Sequence, residues 1–236
     1  MAYRLRNVRK RYGELLVLDG VDLEPRTGGV SAVLGPSGCG KTSLLNIIAG
    51  LDGDYEGELK GFGPARPSYA FQEDRLLPWK SAMANVALPL EALYGRAEAR
   101  DRAMEALKSV GLERDAKSRP GALSGGMRKR VALARAFAFP SELMLLDEPF
   151  SSLDLKTRLS VMDLFLELRE RSGRTALVVT HDVREAIYLG DLIYCLSDKP
   201  SKVAMRAEPG LGRAGRSFTS PASAEVEAAL YEALLS

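Results

Sequence analysis

The chain has 236 residues, of which 46% are hydrophobic and 27% are charged. Its 33 basic and 31 acidic side chains leave a formal net charge of +2, which gives no electrostatic argument for nucleic-acid binding, and we expect no nucleic-acid partner. The sequence has no run of about 18 apolar residues and no signal-peptide core after Met1. We therefore expect a soluble cytosolic protein that reaches a membrane only through a partner. Cys39 and Cys195 lie far apart in unlike contexts and predict neither a disulfide nor a zinc site.

The first fifth of the chain is predicted to be rich in strands. The alternation of apolar and polar residues, broken by a turn at Tyr12-Gly13, predicts an antiparallel edge that leads into a buried strand. The predicted elements are strands at 3–8, 15–18 and 30–34, a helix at 43–50, and strands at 56–60 and 67–71.

The middle of the chain, residues 85–138, carries apolar residues at helical spacing and predicts a helical subdomain. Continuous apolar runs at 143–146 and 175–179 are typical of parallel strands covered on both faces, and an amphipathic helix is predicted between them at 156–171. The C-terminal region predicts a strand at 202–206, a loop at 208–212 and a helix at 223–235.

A glycine-rich loop follows the strand at 30–34. Gly35–Thr42 fits the pattern G-x-x-x-x-G-K-[ST] between a strand and a helix, which is the setting a phosphate-binding loop requires. Backbone amides of such a loop converge on an anion, and we expect Lys41 to bridge the β- and γ-phosphates and Thr42 to bind Mg²⁺. The predicted nucleotide-binding residues are Gly35, Pro36, Ser37, Gly38, Cys39, Gly40, Lys41, Thr42 and Ser43. A helix N-terminus could make Cys39 reactive, or this residue is a passive small member of the loop.

Two adjacent carboxylates end the apolar run at 143–146. Ligands of α/β proteins gather at the carboxyl ends of such strands, so Asp147 is a candidate Mg²⁺ ligand, through water, and Glu148 a candidate general base. A helix cap at the strand end is the alternative, and the presence of the phosphate loop favours the catalytic interpretation.

The segment Leu123–Met127, L-S-G-G-M, resembles the signature of ATP-binding cassette (ABC) ATPases. Ser124 can cap the helix that follows, while Gly125 and Gly126 leave its first amides open. This would be a second anion site on the same chain. One phosphate tail cannot readily use two such sites in one subunit, so the arrangement indicates a nucleotide sandwiched between two chains.

Other residues match this family in order along the chain. By resemblance, Tyr12 stacks on adenine, Gln72 senses Mg²⁺ and water, Asp154 in the segment 151–154 links the two sites, and His181 contacts the γ-phosphate. Gln72 is also an expected metal-site residue. A lone histidine is usually structural, but its place at a strand end before Asp182 favours the functional role.

A finer resemblance is to the ATPase subunits of bacterial nitrate, sulfonate and taurine importers, a subgroup that includes pyrimidine-precursor importers. It rests on the segments 71–79, 147–150 and 181–186. Two features depart from the pattern: Lys129 stands where the family usually has glutamine, and residues 61–66 form a shorter segment than usual.

The resemblance implies one nucleotide-binding domain over residues 1–236, with a helical signature subdomain at about 85–138 and a C-terminal strand and helix in 200–236. The implied fold is α/β: a P-loop NTPase core with a mostly parallel sheet, an N-terminal antiparallel β-subdomain and an inserted helical subdomain.

The implied function is that of the ATP-hydrolysing subunit of a bacterial ABC importer: an ATP-dependent homodimer that hydrolyses ATP with Mg²⁺ and powers uptake of a small solute of the nitrate, sulfonate, taurine or pyrimidine-precursor type. Its implied partners are integral membrane permease subunits, at the cytoplasmic face of the inner membrane, and indirectly an extracytoplasmic substrate-binding protein. An exporter, a non-transport ABC ATPase and a P-loop kinase are the alternatives. A kinase leaves Leu123–Met127 and His181 unexplained.

Overall fold

The structure is a computed structural model that describes residues 3–62, 66–210, 212 and 221–235. Residues 63–65 of the short segment and residue 211 of the predicted loop lie outside these ranges. The chain divides into two compact units. The first unit comprises Met1–Pro67, Leu145–Glu148 and Gly173–Ser236, and the second comprises Ser68–Met144 and Pro149–Ser172.

The described residues form strands and helices in this order: β1 Arg4–Tyr12, β2 Leu15–Leu23, β3 Val30–Leu34, α1 Lys41–Ile48, β4 Glu56–Lys60, β5 Ser68–Ala70, α2 Ala82–Ser109, a 3₁₀ turn Pro120–Ala122, α3 Gly125–Ala138, β6 Leu143–Asp147, α4 Leu155–Ser172, β7 Thr175–Thr180, α5 Val183–Leu189, β8 Leu192–Leu196, β9 Val203–Ala207 and α6 Pro221–Leu235.

The N-terminal strands of the first unit form a separate antiparallel sheet in the order β2-β1-β4. The hairpin between β1 and β2 turns at Gly13, as predicted, but it pairs with β4 rather than leading directly into β3. Gly57 is required where β4 crosses β1, because a Cβ there would lie 2.6 Å from the carbonyl oxygen of Arg6.

The main sheet of the first unit has the strand order β6-β7-β3-β8-β9, with Leu145–Asp147 supplied by β6. Every residue of β3, β7 and β8 is buried, as expected for parallel strands covered on both faces. β3 pairs in parallel with β7 and β8, so that Leu34 lies opposite Thr180 and Cys195. The loops after β3 and β7 therefore leave the sheet side by side.

Helices α5 and α6 of the first unit pack against strands β3, β8 and β9 of this sheet. Leu230 of α6 is fully buried in a cluster with Ala186 of α5 and Leu34 of β3. An ion pair of 2.9 Å between Arg184 and Glu227 joins the two helices at the surface.

The second unit is mainly helical, as predicted for residues 85–138. α2 begins at the cap residue Ser81, whose hydroxyl accepts a hydrogen bond from the amide of Ala84, and it kinks at Gly95. Its apolar face packs with α3 and with Leu168 of α4 in one buried cluster that contains Leu90, Leu107 and Val131.

Two elements of the first unit are not predicted from the sequence. α5 has only seven residues, too few to show a helical period, although Asp182 caps it by accepting from the amides of Arg184 and Glu185. β8 is an uninterrupted apolar run bounded by Asp191 and Ser197, and that signal could have identified it.

Candidate active site

The phosphate-loop segment of the first unit joins β3 to α1. Gly38 and Gly40 have φ values of 80° and 107°, which favour glycine, and Gly40 ends the loop as the residue before α1. A Cβ at Gly40 would lie 2.7 Å from Cγ1 of Val17, and one at Gly35 would lie 2.8 Å from Sγ of Cys39. The glycines therefore fit both the backbone conformation and the close packing of this loop.

Lys41 folds back over the start of the loop. Its buried ammonium donates hydrogen bonds of 2.8 Å to the carbonyl oxygens of Gly35 and Pro36. The positive charge thus lies at the loop, next to the N-terminus of α1, where an anion is favoured. Thr42 and Ser43 follow in the first turn of α1.

Tyr12 is held by its hydroxyl group while half of its side chain stays exposed. The Tyr12 hydroxyl lies 3.2 Å from Oγ of Ser43 and 3.3 Å from a carboxylate oxygen of Asp52. Asp52 in turn accepts a hydrogen bond of 2.9 Å from Lys10, a buried lysine whose ammonium also lies 4.7 Å from the centre of the Tyr12 ring. This hydrogen bond lowers the pKa of Asp52 and raises that of Lys10.

Asp147 is the last residue of β6 and is buried, and Glu148 follows it directly, so both carboxylates lie at the carboxyl end of the strand as predicted. Glu148 has a left-handed backbone with φ 42°, and its amide donates a 3.0 Å hydrogen bond to the carbonyl of Val179 in β7. Oε1 of Glu148 lies 3.1 Å from Nδ1 of His181. The structure therefore brings the candidate general base into contact with His181, the residue expected to contact the γ-phosphate.

The backbone on either side of His181 is fixed by side chains. The hydroxyl of Thr180 donates to the buried carboxylate of Glu185 and accepts a 3.1 Å hydrogen bond from the amide of Asp182. Asp182 then caps α5. Sequence reasoning missed Glu185 as a supporting residue, because nothing local marks it as buried.

Cys39 is buried within the phosphate loop, and burial raises the pKa of its thiol. Its carbonyl oxygen accepts a hydrogen bond from the hydroxyl of Ser201. The structure thus favours the passive small residue over the activated thiol.

In the second unit, the signature residues begin α3. Oγ of Ser124 accepts a 3.2 Å hydrogen bond from the amide of Met127, as its predicted capping role requires. Gly125 and Gly126 form the first turn, and a Cβ at Gly126 would lie 2.5 Å from Cγ2 of Thr157. Asp154 caps α4: it accepts a 3.0 Å hydrogen bond from the amide of Thr157, and hydrogen bonding to Thr157 lowers the pKa of Asp154.

Gln72 of the second unit lies in the segment after β5. Its carbonyl oxygen accepts a 2.7 Å hydrogen bond from Nζ of Lys129 in α3. Lys129, which departs from the family pattern, is buried within its own unit rather than exposed.

The described residues contain no group of three or more His, Cys, Asp or Glu side chains that could hold a metal ion. Within the same part of the chain, no helix is long and apolar enough to cross a membrane.

Comparison with known proteins decides the family. The family model described as ABC transporter matches residues 18–151. The chain is also 42% identical over 240 residues to the aliphatic sulfonates import ATP-binding protein SsuB of Ralstonia nicotianae, covering 99% of this chain and 82% of the relative. The chain belongs to the ABC transporter family. It is an ATP-binding cassette with ATPase activity.

Other relatives of this ABC ATPase agree. It is 42% identical over 233 residues to the aliphatic sulfonates import ATP-binding protein SsuB 1 of Streptomyces avermitilis, covering 99% of this chain and 86% of the relative. Among solved structures, the bacterial ABC transporter cassette MJ0796, solved as a dimer, is 37% identical with a TM-score of 0.76. That match covers 87% of this chain and 98% of the cassette. A post-hydrolysis dimer of MJ0796 bound to ADP and Pi matches with a TM-score of 0.75 and 36% identity, covering 87% of this chain and 98% of that one.

Proposed function

We propose that this chain is the ATP-hydrolysing subunit of a bacterial importer and powers uptake of an aliphatic sulfonate through a separate membrane permease. The names of its relatives support import and sulfonate as cargo over nitrate or pyrimidine precursors. They disfavour an exporter or a non-transport ATPase.

In the first unit, ATP fits with its base on the ring of Tyr12 and its phosphates on the loop from Gly35 to Ser43. Lys41 supplies the charge that the β- and γ-phosphates need. The hydroxyl of Thr42 and, through water, the carboxylate of Asp147 would hold Mg²⁺, which would neutralise charge on the phosphates.

The contact between Glu148 and His181 is the observation that carries the hydrolytic mechanism. Glu148 accepts a proton from a water molecule while the oxygen of that water attacks the γ-phosphorus. The bond between the γ-phosphorus and the bridging oxygen of ADP then breaks, which releases ADP and phosphate. His181, 3.1 Å from this carboxylate, orients it and contacts the γ-phosphate. Gln72 senses Mg²⁺ and the attacking water.

Two copies of the chain close on ATP. In this arrangement the first turn of α3, with Ser124, Gly125 and Gly126, offers its amides to the γ-phosphate held by the partner copy, and Asp154 links the two sites. The dimeric MJ0796 cassettes support this assembly. Release of phosphate removes the anion that both copies bind, so the dimer reopens.

The permease docks on the second unit near Trp79, which is 67% exposed beside the partly buried Leu76. An exposed aromatic residue of this size suits a protein interface. The subunit is peripheral, on the cytoplasmic face of the inner membrane, and an extracytoplasmic binding protein selects the cargo.

Reconstitution tests this function. The chain should copurify with its permease, and proteoliposomes that also receive the binding protein should take up an alkanesulfonate only with ATP and Mg²⁺. A Glu148→Gln assembly is the matched control and should bind ATP without transport. Outward transport, or copurification with no permease, would contradict the proposal.

A further inference from the structure

The segment after β5 in the second unit is held by the signature helix α3. Nζ of Lys129 donates a 2.7 Å hydrogen bond to the backbone carbonyl of Gln72 and lies 3.2 Å from Oδ1 of Asp74. Lys129 is only 8% exposed. A cation this deeply buried is retained only with good partners. Here they are the Gln72 carbonyl, through a hydrogen bond, and the Asp74 carboxylate, through an ion pair.

A second cation of α3, Arg135, binds the backbone of residues that follow Gln72. Arg135 donates hydrogen bonds of 2.7 Å and 2.9 Å to the backbone carbonyls of Asp74 and Arg75. Its guanidinium is largely buried, and this burial lowers its pKa. α3 therefore contacts three backbone carbonyls in a stretch of four residues.

The segment that Lys129 and Arg135 bind has no regular secondary structure. Residues 71–77 belong to no helix or strand, and Arg75 has a left-handed backbone with φ 43°. In this irregular segment the carbonyl of Gln72 accepts its hydrogen bond from a side chain of α3, Nζ of Lys129.

We propose that Lys129 is a positioning residue that fixes the backbone of Gln72 to the signature helix. Gln72 and the signature residues Ser124–Gly126 of one chain then shift together, so an anion at the helix end also places the Gln72 side chain. This inference rests on the proposed role of Gln72 in sensing Mg²⁺ and water.

The lysine suits this task for a chemical reason. Its ammonium donates a hydrogen bond to the neutral carbonyl of Gln72 and at the same time forms an ion pair with Asp74. Glutamine, the residue that the family pattern has at this position, offers donors to the carbonyl but no charge to Asp74. A Lys129→Gln variant should therefore retain part of the positioning of Gln72 that Lys129→Met removes.

The test compares Lys129→Met with Arg130→Met in the full chain. Arg130 is the next residue of the same helix, but it bonds Val110 and Ser160 at distances of 3.4 Å and 3.0 Å, away from Gln72. For Lys129→Met we expect turnover to fall about tenfold, because a hydrogen bond from a charged group is lost. The KM for ATP should change less than about twofold. The Mg²⁺ concentration for half-maximal activity should rise, and amide hydrogen exchange across 70–77 should accelerate. Arg130→Met should change none of these.

Gln72→Ala distinguishes the positioning role of Lys129 from the proposed role of Gln72 in sensing Mg²⁺ and water. If Lys129 acts through Gln72, the double variant Gln72→Ala/Lys129→Met should be no slower than Gln72→Ala alone. Additive losses, or unchanged exchange across 70–77 in Lys129→Met, would overturn the positioning role. A Gln72→Ala variant with normal turnover and Mg²⁺ dependence would instead remove the role of Gln72. If Lys129→Met does not fold, Lys129→Gln carries the same comparisons with smaller changes.

Discussion

Nδ1 of His181 lies 3.1 Å from Oε1 of Glu148, although the two residues are 33 positions apart in the sequence. The contact depends on two backbone features: the left-handed conformation of Glu148 and its amide hydrogen bond to Val179. A non-glycine residue in this conformation is strained, and such strain concentrates where a side chain must be held in one direction. The backbone at the ends of β6 and β7 therefore sets the position of the Glu148–His181 pair.

Glu148→Gln keeps the shape of this site and removes the base. We expect ATP to bind as before and turnover to fall by about 10²–10⁴, the range for a lost general base. ATP should then accumulate in a stable dimer, which size-exclusion chromatography measures. Turnover close to that of the unaltered chain would exclude Glu148 as the base.

Ser124→Arg places a bulky cation at the start of α3. Nucleotide binding by a single chain should persist, because Tyr12 and the phosphate loop lie in the other unit, but ATP-driven dimerisation should be lost. Ser124→Thr, which keeps the capping hydroxyl, is the matched control and should dimerise. Normal dimerisation of the arginine variant would reject the proposed sandwich.

Gly126→Ala should destabilise the second unit, because its Cβ would lie 2.5 Å from Cγ2 of Thr157. We expect a loss of about 1–3 kcal/mol in the free energy of unfolding, measured with urea. Gly125→Ala is the control, since its Cβ would lie 3.8 Å from the nearest side chain, an ordinary contact. Thr157→Ser, which removes the clashing methyl group, should restore stability, and its failure to do so would refute this steric account.

Asp52 should contribute to stability in a pH-dependent way. The hydrogen bond from Lys10 holds its pKa below the ordinary value of 3.8 in the folded protein. Its contribution is therefore fully present above that value and is lost as pH falls through the lower, folded pKa. Asp52→Asn should unfold at a lower urea concentration than the unaltered chain at pH 7, and this gap should narrow below about pH 4. A gap that stays constant with pH would contradict the assignment.

Both thiols should be unreactive in the folded protein. Burial raises the pKa of Cys39, and burial raises that of Cys195 to about 11. At pH 8 iodoacetamide should label neither residue in the folded chain and both in denaturant, as mass spectrometry can determine. Rapid labelling of folded Cys39 would reinstate the reactive-thiol alternative.

The sequence predicts well those features that depend on neighbouring residues. The buried strand before Gly35, the loop itself and the cap at Ser124 are all local patterns, and the structure has each of them. The structure also confirms the mostly parallel sheet and the antiparallel N-terminal strands.

Features that depend on distant residues were not predictable in this way. Lys10 and Asp52 are 42 positions apart, and no periodicity links them, yet together they hold Tyr12. Likewise the sequence marks Lys129 only as a departure from a family pattern. Its partner Gln72 lies 57 positions earlier, so the neighbouring residues do not indicate the hydrogen bond between them. Such pairs follow from how strands and helices pack, which a single sequence does not state.

Gly40 has a further consequence for how experiments on this loop are interpreted. A Cβ at Gly40 would lie 2.7 Å from Cγ1 of Val17 and 2.8 Å from Cδ2 of Leu18, both in β2, so any larger residue there displaces the loop from the antiparallel sheet even without nucleotide. Loss of ATP hydrolysis in a Gly40 variant would therefore report a misfolded loop as readily as a missing phosphate contact. Lys41→Ala leaves the packing of Gly40 against β2 intact and removes instead the charge and the hydrogen bonds to Gly35 and Pro36.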